Sequence, residues 1–427
     1  MVSVLRRLPP RAAAVPPPPR LPADGAWCCD GDDDGVPATA CLPAPGGWRR
    51  AWATAAGALL AVAAAALVGL ALGSLTAPAH AQGVPGTQAA ARPTGTAPKP
   101  AAIRIGFAAA PVGQPPVSSG NAVAIAHWKG WLEEEFRADG IAVQWYFFRG
   151  AGPAVNESLS TGQLDFAAQG DVPAVVARAG GLGTRLLMAS GARNNLYVAV
   201  PPDSPLRSVA ELRGKRVALF KGTSGQLPAN RLLARHGLAE KDLRAINLDY
   251  AAMQAALATR DIDAAFGGME LLKLRDQGAA RILYTSRDDS PVFTRQNHVL
   301  VTEAFERAHP ALVQRVVDVL VRAAHWGSET ANREDVLRQW GRGGTPYEAW
   351  REDLLGQPLK VRLSPLFDPL MVGLYQDASR QLREFRLTRR EIDVERWIDR
   401  RYLDRALRSQ GLQDYWPRLD AQGRQAS

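Results

Sequence analysis

Beyond Cys41 the chain has no cysteine. Its three, Cys28, Cys29 and Cys41, all stand in the first tenth of 427 residues. That excludes a disulfide framework, a thiolate zinc site and a cysteine nucleophile from the main body. Histidine is nearly as scarce. Five follow residue 81, His127, His236, His298, His309 and His325, and none shows metal-ligand spacing or a neighbouring nucleophile signature. There is no Gly-x-Ser-x-Gly elbow and no phosphate-binding loop ending in Gly-Lys-Ser/Thr. Aromatics are only 7% of the chain, and glycine and proline are frequent without being periodic, which excludes collagen-like and repeat folds. Neither sign of charge dominates: 51 basic against 42 acidic residues leave +9, which is either a mild field attracting small anions or simply the preference of a basic proteome or envelope. The basic residues Arg380, Arg383, Arg386, Arg389 and Arg390 read as a solvated helix face rather than a nucleic-acid stripe.

What is there is globular composition, 46% hydrophobic and 22% charged. At this length it fits roughly two packed units of 100 to 200 residues. Residues 1–50 are rich in Pro, Gly and Asp and hold no hydrophobic period. They read as a disordered extension or as sequence upstream of the true start. Residues 51–73 carry no charge, follow Arg49-Arg50 and lead to Ala79-His80-Ala81. That is the pattern of a secretory signal peptide, residues 51–81, cleaved after Ala81. The run is also about as long as a membrane-spanning helix, so an uncleaved anchor is the competing reading. Residues 82–101 form a flexible leader.

From residue 103 the hydrophobic period alternates between strand and helix, the α/β signature. Strands are expected at 103–107, 141–148, 164–168, 185–190 and 197–200. Helices are expected at 121–138, 156–160 and 172–179. The series then restarts with strands at 216–220, 246–248, 262–266 and 281–285, a helix running from the turn at 221–225 to His236, and another at 253–259. From about Ala304 the pattern is mostly amphipathic helix. Residues 159–167 (LSTGQLDFA) echo residues 257–265 (LATRDIDAA) at an offset of 98. In each copy a helix ends, an acidic residue heads a strand, and a glycine-rich loop follows. Two lobes of related design would put both loops on one cleft beyond the carboxyl ends of their strands.

The chemistry to expect there is anion binding. Lys221-Gly222-Thr223-Ser224-Gly225 follows a strand and opens a helix. Gly222 permits close approach, and Thr223 or Ser224 can cap, where free backbone N–H groups favour an anionic oxygen. Ser118-Ser119-Gly120 is its counterpart in the first lobe. Asp171, after Gly170, is either an N-cap or an acceptor for a ligand amine. Arg193 is a solvated loop residue or a bidentate anion partner. Met269 and Glu270 belong to the second glycine loop, and Glu270 in the cleft would favour a ligand carrying a cation or hydroxyl as well as an anion.

Residues 212–218 (LRGKRVA), 221–224 (KGTS) and 262–264 (IDA), preceded by 204–209 (SPLRSV), resemble periplasmic solute-binding proteins of ABC importers. The similarity is to those for aliphatic sulfonates, taurine and nitrate, and extends over roughly residues 103–330. It implies an α/β, two-lobed type II periplasmic-binding fold, each lobe a mixed sheet flanked by helices, with a helical C-terminal tail. Lobe 1 would be 103–196 with 293–427, and lobe 2 would be 197–292. The resemblance places an anion on Ser118, Ser119, Thr223 and Ser224, and makes Gly150 and Gly170-Asp171 cleft loops. Where the family carries Trp-Asp-Pro, this chain reads Gly268-Met269-Glu270, which removes an aromatic platform. The implied function is periplasmic capture of a small anionic or zwitterionic solute, as a monomer without cofactor, metal or nucleic acid, for delivery to an ABC permease and its ATPase. Two enzymes resemble the same fold, a thiamine-pyrimidine synthase and a sulfinate desulfinase. Both depend on cysteine, so a non-enzyme is expected; an enzyme or a membrane-anchored sensor is the alternative.

Overall fold

The computed structural model describes residues 98–425. The expected extension and signal peptide, and all but the last four residues of the leader, lie outside the described residues.

Alternating apolar residues build two five-stranded sheets. The first contains β1 (Ala102–Phe107), β2 (Ala142–Phe147), β3 (Phe166–Gly170) and β4 (Thr184–Ala189). The second contains β5 (Tyr197–Val200), β6 (Arg216–Leu219), β7 (Arg244–Asn247), β8 (Ala264–Gly267) and β9 (Arg281–Thr285). A tenth strand, β10 (Asn297–Thr302), returns to the first sheet. The orders are β2-β1-β3-β10-β4 and β7-β6-β8-β5-β9. Both follow one plan. β1 runs parallel to β2 and β3, as β6 does to β7 and β8, and the inserted strand, β10 or β5, runs antiparallel to both its neighbours. The chain therefore passes twice between the sheets. Where it does, Asn194 and Arg295 exchange both backbone hydrogen bonds, at 3.0 and 2.8 Å.

The sequence echo has a structural cause. Asp165 accepts the backbone N–H of Arg104 at 2.8 Å and pairs with its guanidinium at 2.6 Å. Asp263 does the same for Arg216, at 2.8 and 2.9 Å. Each aspartate ties the foot of a third strand to the foot of its neighbour, at the end of the sheet opposite the glycine loops.

Three expected elements differ. The helix over 121–138 is two, Ala122–Lys129 and Trp131–Arg137, because Gly130 turns left-handed (φ 66°) and its N–H closes on the carbonyls of Ala126 and His127. The helix expected from residue 156 begins at Ala151. β10 occupies residues for which no element was expected; its His298, Val299, Leu300 and Val301 are all buried, so it reads as core rather than as an alternating strand.

The tail packs back along the first sheet's side, its long helix Pro310–Ser328 lying on Ala122–Lys129. It also reaches the crossing. Asp353 and Arg362 are wholly buried and paired at 2.8 Å. The Asp353 carboxylate also accepts from the Tyr197 hydroxyl and the Asn195 amide, both at 2.9 Å, while Arg362 donates to the Asn194 side-chain oxygen at 2.8 Å.

Candidate ligand site

The carboxyl ends of β1, β3 and β4, the start of β10 and the loops after β6 and β7 converge on a cavity of about 150 Å³. Helix starts deliver its hydroxyls. Asn121, not a serine, caps Ala122–Lys129: its side-chain oxygen accepts the Ala124 N–H at 2.8 Å. Ser118 and Ser119 are thereby left to line the cavity. In the second lobe Thr223 holds its own turn, donating to the Phe220 carbonyl at 2.7 Å, and Ser224 faces the cavity beside it. Glycine brings the two sides together. A Cβ on Gly170 would lie 2.5 Å from Ser224 Cβ, so the loops of opposite sheets touch at that point.

Of the residues expected at the site, Ser118, Ser119, Gly170, Thr223 and Ser224 therefore share one cavity. The others stand apart from it. Gly150 precedes the helix Ala151–Ser160, and Gly222 donates its N–H to Gln226. Met269 packs in the core. Arg193 turns away: its guanidinium meets the buried Asp368 carboxylate at 2.5 Å. The Asp171 carboxylate accepts the Val172 N–H and is buried; burial pushes it up to about 7, an effect that Arg231 opposes. Glu270 accepts the Gly268 N–H at 2.7 Å and lines an adjoining chamber.

Sequence reasoning missed Ser190, Gln169, Asn297 and Tyr250, which complete the lining. Ser190 carries a buried hydroxyl with no hydrogen-bond partner among the described residues, and the Gln169 side-chain oxygen is likewise unpartnered. Among the described residues, no charged side chain lines this cavity. It offers hydroxyl and amide dipoles but no counter-ion. That suits an anion permanently ionised, rich in acceptor oxygens and without a proton to give.

Asp171 allows a first prediction. A carboxyl raised in the fold stabilises fully below its unfolded value, about 4, and loses that contribution as pH rises through its folded value, about 7. The melting temperature should therefore fall between pH 5 and pH 7.5 more steeply in the native chain than in Asp171→Asn. Parallel curves would remove Asp171 from the pH dependence.

The sheets and the cleft between them define a type II periplasmic-binding fold. Residues 121–330 match the model of the family described as NMT1/THI5 like. The chain is 31% identical over 214 residues to a Bacillus subtilis (strain 168) protein named for binding aliphatic sulfonates; the match spans 48% of this chain and 61% of that protein. Among solved structures it is similar to the periplasmic sulfonate-binding protein SsuA of Methylobacillus flagellatus KT, with 26% identity, a TM-score of 0.67, and coverage of 75% of this chain and 97% of the other. It is also similar to the alkanesulfonate-binding SsuA of Xanthomonas axonopodis pv. citri bound to MOPS, with 26% identity, a TM-score of 0.60, and coverage of 71% and 100%.

Proposed function

We propose that this chain is the periplasmic sulfonate-binding component of an ABC importer, closing its two lobes on an alkanesulfonate-type anion and presenting it to a permease. The observation that carries the reading is the uncharged, hydroxyl-rich cavity shared by both sheets, with the unpartnered Ser190 hydroxyl inside it. A sulfonate supplies three acceptor oxygens and needs only donors. The sulfonate-binding relatives agree with that chemistry. An enzymatic reading through a cysteine nucleophile has no thiol to use beyond Cys41.

Binding should favour closure because contacts from both lobes are available only in the closed form. A thermal-shift series with propanesulfonate, taurine, nitrate and sulfate tests the reading. A ligand bound only by the folded state raises the melting temperature by mass action. Propanesulfonate is expected to stabilise most; nitrate or sulfate stabilising while organic sulfonates do nothing would overturn the proposal. Ser190→Ala should weaken propanesulfonate about tenfold, the loss of one hydrogen bond to a charged group. Calorimetric titration giving native affinity would take Ser190 out of the site.

A further inference from the structure

Outside the inner cavity the cleft opens into a second chamber of about 320 Å³, roughly twice as large. The two share Ala108, Ala109, Ala151 and Tyr250, so one ligand can span them. Charge enters only in the outer chamber, from Arg149, Asp249, Glu270 and Lys273.

The two carboxylates are already committed. Asp249 caps the helix Tyr250–Ala258, accepting the Ala252 N–H at 2.8 Å. Glu270 accepts the Gly268 N–H at 2.7 Å and faces the Arg295 guanidinium across that glycine. A Cβ built on Gly268 would lie 2.0 Å from Arg295 Nη2 and 2.7 Å from Glu270 Oε2. The missing aromatic platform thus leaves room for a buried cation that offsets Glu270. Burial alone would lower Arg295, but Tyr250 and Glu270 together hold it above its ordinary value.

The two cations are uncommitted. Arg149 follows β2 of the first sheet, and Lys273 lies on the helix Glu270–Asp276 after β8 of the second. Neither makes an ion pair or a side-chain hydrogen bond among the described residues. In the closed cleft two like charges from opposite sides face one chamber, and an anion between them would relieve that repulsion.

We infer that the ligand is a sulfonate bearing a second acidic group at its far end, a carboxylate or another sulfonate, with Arg149 and Lys273 as the counter-charges. The inference rests on the sulfonate reading above and narrows its substrate class. It also replaces the expectation that Glu270 selects an amine, since Glu270 is held by the Gly268 N–H and stands near the buried Arg295 guanidinium.

The test is calorimetric titration of the purified protein near neutral pH with three probes of similar length: propanesulfonate, 3-aminopropanesulfonate and 3-sulfopropanoate. The sulfocarboxylate is expected to bind about tenfold more tightly than propanesulfonate, the scale of two exposed charge pairs. The aminosulfonate should be weakest. Lys273→Gln and Arg149→Gln should each cut the sulfocarboxylate-to-alkanesulfonate ratio about threefold, and added salt should compress it. Equal affinities, a preference for the amine, or a ratio unchanged in both variants would overturn the inference while the sulfonate reading stands. If no sulfonate binds to protein with a native melting transition, the sulfonate reading fails and takes this inference with it.

Discussion

Gly170→Ala is expected to cost about tenfold or more in ligand affinity while leaving the melting temperature of the ligand-free protein almost unchanged. Gly170 lies at φ −83° and ψ 167°, where alanine is unstrained, so the substitution does not oppose the local backbone. Its effect is confined to what the new methyl group meets. That is chiefly Ser224, with Cβ at 2.5 Å and Oγ at 3.0 Å, on the loop that follows a strand of the other sheet; the Asn297 side-chain oxygen, in the same sheet as Gly170, stands further off, at 3.3 Å. Real Cβ atoms do not approach so closely, and the methyl group can be accommodated only by holding the two loops apart. The closed form is then disfavoured, and apparent affinity falls with the fraction of protein able to close. Calorimetry would read the affinity, and small-angle scattering would show whether ligand still compacts the protein. Ser224→Gly in the same chain should restore the compaction by removing the atoms that clash. Native affinity and compaction in Gly170→Ala would show that closure does not require this contact.

The sites that sequence reasoning found and those it missed differ in the range of the interactions that define them. Ser118-Ser119 and Thr223-Ser224 are legible because a strand, a short glycine-containing loop and a helix start follow one another within a few residues. The paired lobes are legible because the Arg104–Asp165 and Arg216–Asp263 clasps force one local pattern to recur. Ser190, Gln169 and Asn297 carry no motif, and only the sheet order, which inserts β10 between β3 and β4, brings them to one cavity. Arg193 looked free for an anion because its partner, Asp368, lies 175 positions further on. Asn121 displaced the serines as helix cap, and that substitution of roles leaves the serine hydroxyls for the cavity. β10 escaped notice because a fully buried antiparallel strand shows no alternation.

The tail poses the second large test, because it places a charge pair where the fold can least tolerate an unpaired one. Asp353 and Arg362 are fully buried, and Asp353 is the acceptor for Tyr197, Asn195 and Arg362 together. Burial, with the neighbouring Asp353 carboxylate, pushes the Tyr197 hydroxyl well above its ordinary value, so it stays a donor. Glu352, one residue earlier, clasps Arg275 of the second sheet's helix through two bonds at 2.5 and 2.7 Å. The tail is thereby fastened both to the crossing and to the lobe beyond it. Asp353→Ala strands the Arg362 guanidinium and two further donors in the core, which should cost about 3 to 5 kcal/mol. In a protein of this size that is a fall of roughly 5 °C in melting temperature. Adding Arg362→Met to Asp353→Leu should recover much of the loss, because two apolar side chains leave no buried charge unmatched. A single substitution that melts within a degree or two of the native chain would mean that water or backbone movement reaches Arg362. The tail would then lie against the crossing without being fastened to it by this pair. Loss of stability in Asp353→Ala with recovery in the double variant would show that the buried pair fastens residues 347–362 to the crossing.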